Sequence, residues 1–93
     1  MSETVKVDGV AVDYSGLPER CRDTMRLYLE HGCDPGSGWR AVLEGDARAV
    51  VMVDNEMFHD LRTIWRWLRN YAPSESHGSR RQVEEWMRAR GAV

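Results

Sequence analysis

The chain lacks any apolar run of bilayer-spanning length, and its N-terminus shows no basic segment leading into an apolar stretch. Neither membrane insertion nor secretion is expected from it. Cysteine is scarce: Cys21 and Cys33 are the only two in 93 residues, too few for a disulfide framework, so reduced thiols in a cytoplasm are expected. Lysine is almost missing, with Lys6 the single lysine among thirteen cationic residues. Arginine presents a planar fork that suits phosphate and carboxylate. The arginines are spread along the chain, however, and a GC-rich coding genome explains the bias more simply. Catalytic signatures are missing too. His31, His59 and His77 are scattered, there is no Gly-x-Ser-x-Gly elbow, and neither cysteine has a nucleophile context, so neither an enzyme nor a cofactor is expected.

What the chain does contain, 42% hydrophobic and 30% charged residues with a formal net charge of -2, describes one soluble globular domain over 1–93. The balance of charge disfavours a basic nucleic-acid protein. At this size the core is modest, and association with further copies would help it.

The predicted fold is mainly α, a compact helical domain of about four helices with an N-terminal β-hairpin. The hairpin is placed as an arm over 1–15 and the helical core over 16–93. Asp8-Gly9 between two β-branched runs, Thr4-Val5-Lys6-Val7 and Val10-Ala11-Val12-Asp13-Tyr14, is the strongest short-range hairpin signal. A two-stranded ribbon is marginal alone, so this one must lie on the helices or pair with another subunit. Pro18 suits the first position of a helix that carries Cys21, Met25, Tyr28 and Leu29 inward and ends at Gly32. Ser37 is expected to cap a short helix through Leu43, Ala47 to Val53 reads as helix although its valines also favour a strand, and Gly45-Asp46 punctuates between them. From Asn55 onward, Met57, Leu61, Ile64, Trp65, Leu68 and Ala72 form the stripe of a central helix that stops at Pro73. A polar loop then leads to Ser79, the expected cap of a last helix with Val83, Trp86 and Met87 on one face.

Two helix openings share a pattern, Gly36-Ser37-Gly38-Trp39-Arg40 and Gly78-Ser79-Arg80-Arg81. A serine cap and the free N–H groups of a first turn attract anions, whereas the helix dipole disfavours arginine there, so an anion is expected at each opening. Ordinary helix punctuation with solvated arginines is the bland alternative. In the ligand reading, Ser37, Gly38, Ser79 and the N–H groups that follow them hold phosphate, Arg40, Arg80 and Arg81 neutralise it, Trp39 or His77 meets a base, and Gly78 is counted with them as a ligand-binding residue.

Other constellations carry less. Cys21, His31, Cys33 and Asp34 match no common zinc spacing, so no metal is expected. Glu44, Asp46, Asp54, Glu56 and Asp60 read as caps and solvated carboxylates. A helix-turn-helix through the Pro35-Gly36 turn is weak, because its second helix is short and carries one basic residue. Arg62, Arg66 and Arg69 lie at helical spacing as a positive stripe that meets phosphates or simply pairs with an acidic surface, the solvated face being the simpler reading.

Leu17-Pro18-Glu19, Tyr28-Leu29-Glu30-His31-Gly32, Pro35-Gly36-Ser37, Ala41-Val42-Leu43, Trp67-Leu68-Arg69-Asn70-Tyr71-Ala72-Pro73, His77-Gly78-Ser79 and Trp86 together make a pattern over Leu17 to Met87. It resembles a family of small proteins encoded by tailed phages and prophages. The motifs are structural punctuation, and the family as a whole has no established activity. Members usually carry a large apolar residue where this chain has Gly38, and Asn-Asp where it has Gly45-Asp46. The resemblance implies an accessory protein acting in the host cytoplasm. Such proteins include sponges for cyclic nucleotide immune signals, inhibitors of host enzymes and small transcriptional regulators.

The leading expectation is therefore a non-enzymatic homo-oligomer that sequesters a small phosphate-bearing ligand, plausibly a cyclic nucleotide. A protein-interaction module that inhibits a host or phage protein is the alternative, and a DNA-binding regulator the third.

Overall fold

The computed structural model describes residues 4–53 and 60–90. Strands β1 (Thr4–Val7) and β2 (Val10–Asp13) form an antiparallel hairpin in which Thr4 faces Asp13 and Val7 faces Val10. Asp8 (φ 50°) and Gly9 (φ 81°) both take positive φ, the mirror-image turn whose twist matches that of the flanking strands. Val5, Val7, Val10 and Val12 share one face of the ribbon, and Val7 and Val12 are buried in the core. The hairpin thus lies on the helices and contributes to their core instead of standing off as an arm.

A short 3₁₀ turn at Tyr14–Gly16 follows, capped by Asp13, whose carboxylate accepts from Ser15 N–H at 3.0 Å and from Ser15 Oγ at 2.6 Å. Those hydrogen bonds, the side-chain one first, hold the Asp13 carboxyl below its ordinary pKa. Helix α1 (Glu19–His31) starts one residue after Pro18 and buries Cys21, Met25, Tyr28 and Leu29. Gly32 ends it in the left-handed conformation, with its N–H on Tyr28 O at 2.9 Å.

Helix α2 (Ser37–Glu44) ends at Gly45 in the same way. Helix α3 (Ala47–Val53) forms despite its valines, and the Asp46 carboxylate accepts Ala49 N–H at 3.0 Å at its start. Helix α4 (Leu61–Tyr71) is the central helix, burying Leu61, Ile64, Trp67 and Leu68. The expected start at Asn55 and the Met57 position lie outside the described residues. A 3₁₀ turn at Ser74–Ser76 leads to α5 (Arg80–Ala89), where Ser79 Oγ accepts Gln82 N–H at 3.2 Å and Val83, Trp86 and Met87 are buried as expected. The described chain is thus five α-helices and one hairpin, and its buried residues form one cluster drawn from all of them.

Long-range hydrogen bonds from aromatic side chains brace this cluster. Trp67 Nε1 donates to Asp13 O at 2.7 Å and ties α4 to the hairpin. Trp65 Nε1 donates to Val42 O at 2.7 Å and ties α4 to α2. Trp86 Nε1 donates to Tyr28 O at 3.2 Å, and the Tyr28 hydroxyl donates to Ser76 O at 2.5 Å. Trp67, which the helical stripe left off the core face, is therefore core, while Trp65 is half-buried. Ser76 is 0% exposed, and a loop residue so deeply buried requires satisfied polar groups. Its N–H and its hydroxyl both donate to Pro73 O, at 3.0 and 2.7 Å. The approach to α5 is thereby fixed against the core, and it carries His77 and Gly78 with it.

Candidate functional site

The first helix opening already holds an anion of its own. Asp34 places one carboxylate oxygen on Gly36 N–H at 2.9 Å and the other 3.8 Å from Arg40 Nη1. This turn makes Gly36 (φ 94°) the residue before the helix and puts Ser37 inside it, so Ser37 makes no side-chain cap as had been expected of it. Arg40 is further held by Glu44 at 3.9 Å and by Glu84 of α5 at 3.5 Å. Trp39 is 9% exposed and belongs to the core, which removes its indole as a surface on which a base stacks. Gly38 is half-buried beside it.

The arginines of the second opening are also paired. Arg80 Nε lies 3.2 Å from Glu84 and Arg81 Nε 3.0 Å from Glu85, each one helical turn onward. Arg40 and Arg80 do converge, as a shared site requires, but on the Glu84 carboxylate, so a phosphate entering between them would have to displace it. Asp34, Glu44 and Glu84 outnumber the two arginines there, and the local field repels an anion. The unfavourable charge at both openings is offset from within the chain.

The cations of α4 behave differently. At 100° per residue, Arg62, Arg66 and Arg69 fall along one exposed crest of the helix. None of the three makes a hydrogen bond or ion pair among the described residues. Exposed guanidinium groups one turn apart reinforce each other's field, and an anion met by two of them gains charge-assisted, bidentate hydrogen bonds. This crest was visible in the sequence as a helical spacing of arginines. Its lack of carboxylate partners was not.

Two cavities flank the crest. One, of about 590 Å³, is lined by Arg62, Thr63, Arg66, Asn70 and Tyr71, together with Gly16 and Trp67. The other, of about 280 Å³, lies between α2, α4 and the loop before α5. Its walls are mostly apolar, made by Val42, Leu43, Trp65 and Leu68, while Arg69, His77 and Gly78 supply its polar groups. Gly78 of the second opening, with His77 before it, is therefore brought to a cavity, whereas Ser79, Arg80 and Arg81, like Ser37, Gly38, Trp39 and Arg40 of the first, are not among its lining residues. Gly78 N–H is committed to Leu43 O at 2.8 Å, so it serves to close the wall and not to hold phosphate.

His77 is half-buried, and burial pushes its imidazole below the ordinary histidine pKa, with a hydrogen bond to the Pro73 carbonyl opposing the shift. The ring is neutral near pH 7. A small apolar cavity with a few converging polar groups, a neutral imidazole and an unpaired guanidinium at its edge is the usual form of a small-molecule site. No nucleophile with an adjacent base stands in it. Among the described residues no group of His, Cys, Asp and Glu is arranged to hold a metal ion, and no helix is long and apolar enough to cross a membrane. Family models, curated proteins and solved structures give no match to this chain.

Proposed function

We propose that this chain is a non-catalytic binding protein that sequesters a small phosphate-bearing ligand along the arginine crest of α4. The observation that carries the proposal is the contrast in pairing: Arg40, Arg80 and Arg81 have carboxylates, whereas Arg62, Arg66 and Arg69 have none among the described residues. The flanking cavities give room on either side of that crest for the rest of the ligand. A cyclic nucleotide signal belongs to this chemical class, and the resemblance to small phage proteins supports a role in hiding such a signal inside an infected host cell. Assembly into a homo-oligomer is part of the same proposal, and the solution mass reads it.

The test is thermal unfolding against inorganic phosphate, pyrophosphate and a set of linear and cyclic nucleotides. A ligand that binds only the folded state raises the melting temperature in proportion to RT ln(1 + [L]/Kd). The expected result is a selective rise that Arg66→Ala and Arg69→Ala abolish and Arg40→Ala retains. A rise that is lost in Arg40→Ala but kept in both α4 variants would move the site back to the helix openings.

A further inference from the structure

The larger of the two cavities beside the α4 crest is polarised along the helix. Apart from Gly16, its lining residues form two parallel rows at four-residue spacing, Arg62, Arg66 and Asn70 in one and Thr63, Trp67 and Tyr71 in the other. The N-terminal part of the first row is cationic, and neither guanidinium has a partner among the described residues. No carboxylate lines this cavity. Its C-terminal end has a different character. Asn70 brings a carboxamide without a hydrogen-bond partner among the described residues, and Tyr71 brings an aromatic ring.

That ring is the outer member of a braced series. Tyr14 stacks on Trp67 with ring centroids 5.8 Å apart, and Trp67 meets Tyr71 at 6.2 Å, tilted by 35°. The Trp67 N–H is held by Asp13 O at 2.7 Å, which fixes the middle ring against the hairpin. Tyr14 and Trp67 are 0% and 3% exposed, whereas Tyr71 is 41% exposed. An exposed aromatic side chain backed by two buried rings is a stacking platform that needs little further ordering when a flat ligand arrives.

Spacing selects what satisfies both ends. At a rise of about 1.5 Å per residue, the midpoint of Arg62 and Arg66 lies about 10 Å along the helix from Asn70 and Tyr71. A phosphate, a pentose and a base in series cover that distance, whereas a phosphorylated phenol is too short and a sugar phosphate has no ring to stack. From this polarity and spacing we infer that the cavity takes a nucleotide lengthwise, its phosphate between Arg62 and Arg66 and its base packed on Tyr71 with Asn70 at the base edge. The inference rests on the α4 reading above and adds the ligand class and its direction along the helix. The volume of about 590 Å³ falls within the range of small-molecule sites. Every base has a flat face and a hydrogen-bonding edge, so the site selects the class and tolerates the base.

Calorimetric titration of the intact protein with adenosine monophosphate and ribose 5-phosphate tests the inference, because the two share phosphate and pentose and differ in the base. The nucleotide is expected to bind about 5- to 150-fold more tightly, as one base stacked on an aromatic side chain does. Tyr71→Leu keeps an apolar side chain and removes the ring, so it should shrink that advantage about fivefold or more. Ribose 5-phosphate should bind that variant as before, which also reports an intact fold and crest. Asn70→Ala, at an exposed helical position, should weaken the nucleotide about three- to tenfold through loss of a hydrogen bond and leave ribose 5-phosphate unchanged. Equal affinity of the two compounds for the unchanged protein, or a nucleotide advantage undiminished in either variant, would overturn the placement of the base while the α4 crest stands. If neither compound binds, both readings fall.

Discussion

Arg40 and Arg69 are the same residue type in opposite circumstances, and their substitutions should separate stability from binding. Arg40 is partly buried among Asp34, Glu44 and Glu84, whereas Arg69 is exposed with no partner among the described residues. Ion pairs of this kind contribute about 0.2 to 1 kcal/mol each and are screened by water, so Arg40→Ala should cost about 1 kcal/mol in chemical denaturation. Arg69→Ala should change stability by less than about 0.5 kcal/mol. An equal loss in both variants would mean that Arg69 is held by contacts within the fold. His77 gives a second residue-scale expectation. Its folded pKa lies below the ordinary value of 6.5 because of burial, so the unfolded chain takes up a proton first as pH falls. Stability should therefore drop as pH goes down from about 6.5 through the folded value, and level off below it as far as this group is concerned. The midpoint of urea unfolding, followed from pH 7 to pH 5, should fall less steeply in His77→Gln. The same slope in both proteins would show that the imidazole is not held neutral.

At the scale of elements, the parts that local chemistry decides were readable from sequence. Asp8-Gly9 set the hairpin, Gly32 and Gly45 ended helices in the left-handed conformation, and Ser79 capped α5. Each depends on residues within a few positions. Ser37 failed as a cap for a reason equally local but overlooked, the Asp34 carboxylate occupying Gly36 N–H two residues earlier. Gly32 is more constrained than its turn alone requires. A Cβ there would sit 2.7 Å from Arg90 Cβ and 3.0 Å from Met87 O, where α1 meets α5. Gly32→Ala combines that overlap with a left-handed φ of 70° and should cost about 2 to 4 kcal/mol, read as a lower denaturation midpoint. A cost below about 1 kcal/mol would show that α5 can move away freely. Trp67→Phe keeps a ring in the core but removes the bond to Asp13 O. It should raise the amide exchange of the hairpin well before that of α1, and uniform exchange in both elements would contradict the role of Trp67 as their link.

For the whole molecule, what the sequence hid was pairing across distance. The i,i+4 partners Glu84 and Glu85 of Arg80 and Arg81 were legible in α5, yet Glu84 also reaches Arg40, 44 residues away. Only the packing of α2 against α5 reveals that the helix openings are neutralised from within. The same packing buries Trp39 and, by fixing the Ser74–Ser76 turn against Tyr28, brings His77 beside α4. Of the two openings named from sequence, Gly78 of the second thus lines a cavity, and the stripe of arginines that reads first as a solvated face is the one without carboxylate partners among the described residues. On the reading proposed above, the α4 crest, and not the openings, receives phosphate. That reading is tested most directly by titrating a nucleotide into the unchanged protein, into Arg62→Ala/Arg66→Ala/Arg69→Ala, and into Arg40→Ala/Arg80→Ala. Binding that disappears in the first variant and persists in the second is the predicted result. Binding that survives loss of the crest and disappears with Arg40 and Arg80 would contradict the account.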